Sequence, residues 1–482
     1  MKHIHLRNPV LLAACVFVCS ISARYGDAAA LPGEGAAAPA ADARIAVTGE
    51  EVGPIKRMNA VGGAPGRPGT VDFEAWKALE IPYARTHDLN NHAEYGAPWA
   101  LDVTRIFSDM DADDGDPRNY RFAETDEIVK RIQDAGSKVF YRLGCPFENQ
   151  LRKKTAETGM PKDVEKYARV CGNIIAHYND GWADGFRYGI EYWEFWNEPD
   201  LGCFWGGTRD EFQRLWIAVA KHVKGRFPDI KFGGPAISGD SNWLDRMLGA
   251  FEREKVPLDF ISWHCYQPSP NHKTRFERYV KRAREMLDRH GYTKAESILN
   301  EWNYCLDMNY QGRRYSAEVH CGREAAKGAA FVGGVMNICQ DGPLDMLMFY
   351  SGIRARSWNS MFDLRTNEPL PGYYAFYAWK KLARLGTQVK VSVDPGSLEC
   401  LTAVAAVGKD GRRGVFISRF TEDGDTVLPA TVVLDLHGAV GDELTCHLTD
   451  DICRYTEIPL FRNADGTYSL TLKPNAIAYV EY

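Results

Sequence analysis

The chain has 482 residues, 45% hydrophobic and 25% charged, an ordinary globular composition that excludes wholesale disorder, collagen-like repeats and coiled coils. With 58 basic against 64 acidic residues its net charge is −6, and nothing in that balance calls for nucleic acid as a partner. The length suits one large barrel with a small module attached.

The chain opens with Lys2 and Arg7, an apolar run from Pro9 to Ser22, and small residues offering Ser20-x-Ser22 or Ala28-x-Ala30 for cleavage. This predicts a secretory signal peptide over 1–30 and a secreted or periplasmic product. Leu12-Ala13-Ala14-Cys15 resembles a lipoprotein acylation box, but the apolar run continues past Cys15, so a lipid anchor is the secondary reading. Residues 31–43, rich in Ala, Gly and Pro, read as a flexible leader, and no stretch is apolar enough to span a membrane.

From residue 55 short apolar runs alternate with amphipathic stretches. Strands are predicted at 56–62, 83–88, 138–144, 192–196, 231–235, 258–266, 297–302 and 346–350. Helices are predicted near 71–80, 124–135, 164–178, 209–227, 242–255, 273–289, 317–338 and 373–385. In 209–227, Phe212, Leu215, Trp216, Val219 and Val223 recur at spacings of three and four. Such alternation defines an α/β fold, a parallel (β/α)8 TIM barrel over 44–386. A doubly wound sheet is the runner-up, but no GxGxxG turn follows the first strand. Beyond Gly386 the period changes to two: Val389, Val391 and Val393 alternate with polar residues, and 401–407 and 414–420 flank the turn Lys409-Asp410-Gly411. With 431–436, 444–448 and 468–472 they make 387–482 a small antiparallel β-sandwich module, to which 44–48 can add a strand.

Several features read as structural. The acidic run Asp109 to Asp116 lacks Gly at the sixth and Glu at the twelfth position of an EF-hand loop, where Asp114 and Tyr120 stand, so it is a solvated loop. Basic residues of 273–289 interleave with Glu277, Glu285 and Asp288, as on an exposed barrel helix. Of twelve cysteines, Cys15 and Cys19 lie in the leader. An exported chain is expected to form at least one disulfide among the rest, and Cys446 with Cys453, or Cys145 with Cys203, are the first pairs to consider.

Barrel chemistry sits at the C-terminal strand ends. Strand four ends Glu194-Phe195-Trp196-Asn197-Glu198-Pro199-Asp200, and strand seven ends Leu299-Asn300-Glu301-Trp302-Asn303. A carboxylate closing a buried strand between tryptophans is poorly solvated and costly without a task. Two of them on one barrel face supply what glycosidic cleavage needs.

These segments carry a resemblance. Trp196-Asn197-Glu198-Pro199 looks like the acid/base signature of the clan A glycoside hydrolases, and Glu301 falls where that clan keeps its nucleophile. Within the clan the chain resembles glycoside hydrolase family 39, whose members include β-xylosidases and α-L-iduronidase. Arg85-Thr86-His87-Asp88, Gly233-Gly234-Pro235-Ala236 and Ser262-Trp263-His264-Cys265-Tyr266 resemble further strand ends of that family, with Asp88, Trp263 and Cys265 as departures. The resemblance implies Glu198 as general acid/base, Glu301 as nucleophile, and Asn197 as donor to the sugar's 2-hydroxyl. It places His87, His264 and Tyr266 around the glycone, with Tyr350 at strand eight, where the family often has Trp. Cys265, between His264 and Tyr266, points away from the site. The implied reaction is double displacement on an oligo- or polysaccharide, with no metal or redox cofactor required. The sugar is expected to be neutral and xylose-like. Arg354 and Arg356, after strand eight, offer forks for a carboxylate if the substrate is instead a uronic acid, as in an iduronidase. A non-catalytic carbohydrate-binding barrel and a metal-dependent hydrolase are the rival classes. The first is disfavoured because both glutamates are present, the second because only His87 and His264 stand at strand ends.

Overall fold

Eight short runs rich in aromatic and β-branched residues pair in parallel and close on themselves. They are, after a first strand β1 (Ala43–Pro54), β2 (Arg57–Gly62), β3 (Tyr83–Arg85), β4 (Lys138–Leu143), β5 (Tyr192–Phe195), β6 (Lys231–Ile237), β7 (Phe260–Gln267), β8 (Glu296–Tyr304) and β9 (Met346–Phe349), with β2 bonded to both β3 and β9. The structure, a computed structural model, describes residues 41–87, 101–144, 158–270, 275–306, 322–353, 361–422, 424, 426–439 and 444–482. The predicted signal peptide and Asp88, Cys145, Arg354 and Arg356 lie outside them.

Helices α1 (Val71–Leu79), α2 (Val103–Ile106), α3 (Ala123–Asp134), α4 (Val164–Asn179), α5 (Arg209–Arg226), α6 (Ser241–Arg253), α7 (Arg275–Arg289), α8 (Ala326–Asp341) and α9 (Pro371–Leu385) link the strands or follow the last of them. The periodic residues of α5, from Phe212 to Val223, are buried as their spacing requires. A capping box starts that helix: the Thr208 hydroxyl accepts from the Glu211 N–H, and the Glu211 carboxylate accepts from the Thr208 N–H.

Alternation along the strands sends every second side chain to the barrel axis. Ala60, Tyr83, Phe140, Tyr192, Phe260, Ile298, Met346 and Met348 form one apolar cluster there. One step further along the same strands stand Arg85, Arg142, Glu194, Ser262 and Asn300, a polar layer resting on the apolar one. At the opposite end the Tyr192 hydroxyl donates to Glu296 at 2.7 Å and accepts from Arg57 at 2.7 Å and Lys231 at 2.9 Å. Close packing of β6 depends on its glycines. A Cβ on Gly233 would stand 2.2 Å from the Phe260 carbonyl oxygen, and one on Gly234, where φ is +131°, would stand 2.6 Å from that of Phe195.

The C-terminal strands β10 (Thr387–Asp394), β11 (Cys400–Val407), β12 (Arg413–Phe420), β13 (Ala430–Leu436), β14 (Thr445–Thr449), β15 (Thr456–Ile458), β16 (Phe461–Arg462), β17 (Tyr468–Leu472) and β18 (Ala476–Glu481) form one curled sheet with its own apolar core. Its strand pairs are antiparallel except one: β1 lies between β10 and β13, antiparallel to the first and parallel to the second. Strands β15, β16 and β18 go beyond the predicted set. The sheet docks on α8 and α9. Gly333 of α8 faces Phe416 and Ile477, and the Ser418 hydroxyl donates to the Ala330 carbonyl at 2.7 Å.

Three expectations need correction or refinement. The helix predicted at 317–338 runs Ala326–Asp341; just before it, buried Arg323 donates to the Tyr304 carbonyl and Ala325 is extended. Strand two stops at Arg85, short of residue 88. Cys446 and Cys453 carry free thiols, because Cys446 turns into the core of the sheet while Cys453 sits in a turn held by Asp450. Within the acidic run, Asp109, Asp113 and Asp116 each accept a nearby backbone N–H, and Asp114 pairs with Arg169 at 2.8 Å. The helix α7 carries an exposed Glu277–Lys281 pair and an Arg284–Asp288 pair whose arginine is half-buried. Among the described residues no helix is long and apolar enough to cross a membrane.

Gly233→Ala should destabilise the barrel by about 1–3 kcal/mol, because the added methyl forces β6 from β7. Equilibrium denaturation checks this, and a stability equal to wild type would show that the two strands can yield.

Candidate active site

The polar layer is organised by Arg85, the last residue of β3 and wholly buried. Its guanidinium donates three ways: Nε to Glu194 Oε2 at 2.6 Å, Nη1 to Glu301 Oε1 at 2.7 Å and Nη2 to Asn197 Oδ1 at 2.8 Å. Burial opposes its charge, but the two carboxylates outweigh burial and lift its pKa above the usual arginine value. Glu194 is equally buried, and its Oε1 accepts from the Ser262 hydroxyl and the Asn300 amide, both at 2.5 Å.

Glu301 reaches this network through a β-bulge. Trp263 pairs with Leu299 but His264 pairs with Glu301, so β8 carries one extra residue, Asn300, between the two pairs. Asn300 and Glu301 therefore both reach the buried network, through Glu194 and Arg85 respectively, where strict alternation would send them to opposite faces. Glu301 Oε2 accepts from the Tyr266 hydroxyl at 2.9 Å, and His87 Nε2 lies 3.3 Å from Oε1.

Glu198 follows β5 on a distorted segment. Trp196 and Glu198 both have positive φ, at +79° and +44°. The Glu198 N–H donates to the Ala236 carbonyl at 3.0 Å, and its Oε1 lies 2.7 Å from His264 Nδ1. One carboxylate oxygen of Glu198, one of Glu301 and a ring nitrogen of His264 all lie within 4.8 Å of one another. Such a trio can hold a metal in principle. Here both Glu301 oxygens already accept from Arg85 and Tyr266, and the Arg85 cation stands against Glu301, which disfavours a second cation.

The two histidines titrate in opposite directions. Burial, then Arg85, Arg142 and His264, hold the pKa of His87 well below the usual imidazole value. Burial also opposes charge on His264, but Glu301 and Glu198 overcome it and raise its pKa. Arg142 is matched by Asp102 at 2.8 Å.

The structure thus gathers Glu198, Glu301, Asn197, His87, His264 and Tyr266 at one mouth. Tyr350 stands beside them, its ring centroid 6.2 Å from that of His87. Cys265 is buried among the outer core residues. A cavity of about 420 Å³ opens against β6 and β7, lined by Ser238, Gly239, Trp263, His264, Tyr266 and Tyr279 among others. Four residues of the network, Arg85, Glu194, Ser262 and Asn300, escaped the sequence reading as functional groups, Arg85 being quoted only within the strand-two motif. The only signal for them was polar residues at inward positions of otherwise apolar strands.

A closed parallel barrel whose fourth and seventh strands deliver facing carboxylates has the form of a site for glycoside chemistry. The sequence model described as "Glycosyl hydrolases family 39" matches residues 67–297. A curated β-xylosidase of Geobacillus stearothermophilus is 36% identical over 128 residues, covering 25% of this chain and 24% of that protein. One of Caldicellulosiruptor saccharolyticus is 30% identical over 160 residues, 31% of each chain. The matched segments span a quarter to a third of those relatives' own length. Among solved structures, a glucosidase from Croceicoccus marinus superposes with TM-score 0.71 at 20% identity, covering 91% of this chain and 98% of that one. A monomeric β-xylosidase from Caulobacter crescentus CB15 gives 0.66 at 14%, with the same coverage, and these likenesses speak for the fold. Over residues 67–297 the chain matches glycoside hydrolase family 39, and the two β-xylosidases are similar to parts of it.

Two measurements probe the electrostatics. Arg85→Leu leaves Glu194 and Glu301 buried without their cation and should cost about 3–5 kcal/mol in denaturant unfolding; a cost below 1 kcal/mol, on the order of a surface pair, would deny Arg85 its organising place. The second concerns pH. The raised folded pKa of His264 means that its stabilisation is complete below the usual 6.5 and is lost as pH rises through the folded value. The lowered pKa of His87 means that acidification through 6.5 favours the unfolded chain. His264→Asn should therefore lower Tm more at about pH 5.5 than at about pH 8.5, while His87→Asn should shrink the acid-side loss of Tm. Identical Tm profiles for the three proteins would contradict both assignments.

Proposed function

We propose that this chain is a retaining glycosidase, β-xylosidase-like, that cleaves oligo- or polysaccharides by double displacement with Glu198 as general acid/base and Glu301 as nucleophile. The observation that carries the reading is that one carboxylate oxygen of Glu198 lies within 4.8 Å of one of Glu301, a closeness that fits the roughly 5–5.5 Å carboxyl separation of retaining enzymes.

The surrounding bonds fit those roles. Arg85 and Tyr266 each donate to Glu301 and fix its orientation for attack on the anomeric carbon. His264 occupies Glu198 Oε1, which leaves Oε2 to carry the proton that passes to the departing oxygen. Once Glu301 is esterified its negative charge is gone. Glu198, now a carboxylate, takes a proton from the incoming water, whose oxygen displaces Glu301 and restores the starting state. Arg85 takes the Oδ1 of Asn197, which leaves the amide N–H groups to face a sugar hydroxyl, the 2-hydroxyl in this reading. His87, uncharged, and Tyr350 complete the glycone side.

The curated relatives named β-xylosidases favour a neutral, xylose-like sugar. A uronic substrate rests on Arg354 and Arg356 alone. Export is part of the same proposal, supported by the basic start and the apolar run of residues 9–22.

Glu301→Gly should abolish turnover of an aryl β-xyloside, and azide should restore part of it as a glycosyl azide of inverted configuration. Wild-type turnover in that variant would refute the nucleophile. On matched aryl xylosides and glucuronides, kcat/KM should favour the neutral sugar. A uronide preference that vanishes in Arg354→Ala or Arg356→Ala would replace the neutral-sugar reading.

A further inference from the structure

Glu198 needs a mounting that its own strand does not provide. β5 ends at Phe195, and the segment beyond it has positive φ at two non-glycine residues, a conformation that persists only where neighbours impose it. Glu198, Pro199, Asp200 and Leu201 form a tight turn closed by Leu201 N–H donating to the Glu198 carbonyl at 3.0 Å. Pro199 lacks an N–H and so offers the turn no backbone donor.

The tie comes from Asp200. Its Oδ1 accepts from the Ser238 N–H at 3.0 Å, and its Oδ2 accepts from the N–H groups of Gly239 at 2.8 Å and Asp240 at 3.0 Å. Three successive backbone donors on one carboxylate form a clamp between the turn and the loop that follows β6. That loop is itself fixed. The Asp240 side chain caps α6 through the Trp243 N–H at 2.9 Å and pairs with Arg209, the first residue of α5, at 2.7 Å. The same loop follows Ala236, whose carbonyl receives the Glu198 N–H and whose own N–H donates to Ser262 Oγ, the hydroxyl that donates to Glu194. Glu198 is therefore held at two points by one element, once through its own N–H and once through Asp200 two residues on.

We propose that Asp200 is a positioning residue that sets the reach of Glu198 toward the leaving-group oxygen. This rests on the acid/base reading of Glu198. Glu301 is fixed by Arg85 and Tyr266 from other strands, so releasing the Asp200 clamp moves the acid and leaves the nucleophile in place. A displacement on the order of 1 Å is enough to cost about a hundredfold in a step that depends on the group.

The test measures Asp200→Asn and Asp200→Ser beside Glu198→Ala, on aryl glycosides with good and poor leaving groups, with Tm and labelling of Glu301 by a 2-fluoro glycoside carrying a good leaving group as controls. For both Asp200 variants, kcat/KM on poor leaving groups should fall about ten- to hundredfold. Good leaving groups and the labelling rate should stay near wild type, since they need little acid help. Equal losses on both classes, no loss on either, or collapse of Tm in both variants would each overturn the proposal. If Glu198→Ala itself shows no difference between leaving groups, the acid/base reading fails. If Glu198→Ala shows it and the Asp200 variants do not, only the clamp fails.

Discussion

Everything at the mouth of this barrel hangs on one buried guanidinium. Arg85 is out of water and would be intolerable alone, since an ion removed from solvent costs several kcal/mol. Glu194 and Glu301 make it tolerable, and in return it fixes Glu301 and the amide of Asn197 with two of its three donations. Burial opposes charge on His264, but Glu301 and Glu198 overcome it and lift its pKa, whereas burial together with Arg85 and Arg142 keeps that of His87 low.

Placing that guanidinium correctly takes the whole barrel. The apolar layer from Ala60 to Met348 supports the polar one, and the glycines of β6 let its backbone approach Phe195 and Phe260 closely. The bulge at Asn300 supplies Glu194 with an amide and lets the next residue, Glu301, reach Arg85. The C-terminal sheet contributes from a distance. It packs on α8 and α9, helices that lie behind β8 and β9, and its central strand β1 comes from the other end of the chain, so folding of the two parts is coupled.

Much of this was legible in the sequence. The eight barrel strands stand where runs of apolar residues predicted them, because a strand buried on both faces is marked by composition and bounded by Gly, Pro and Asn. Glu198 and Glu301 stood out as carboxylates beside Trp at strand ends, and the resemblance of Trp196-Asn197-Glu198-Pro199 to the family's signature singled them out as the candidate pair. The bulge was not. Leu299-Asn300-Glu301-Trp302 reads as plain alternation, and only pairing with β7 reveals the extra residue. The sequence reading lets 44–48 add a strand to the β module, but which strands flank it, β10 and β13, was not legible, since pairing between residues more than 300 apart leaves no local mark. The expected Cys446–Cys453 bridge failed for a similar reason. Closeness in sequence says nothing of direction, and Cys446 points into the sheet's core.

The central proposal is that Glu198 and Glu301 act together in a double displacement. The most direct measurement is proton NMR of the first sugar released from an aryl β-glycoside that the enzyme hydrolyses. Two displacements at the anomeric carbon predict the β-anomer first, with the α-anomer growing in only by mutarotation. Initial release of the α-anomer would mean a single displacement by water and would contradict a double displacement through Glu301.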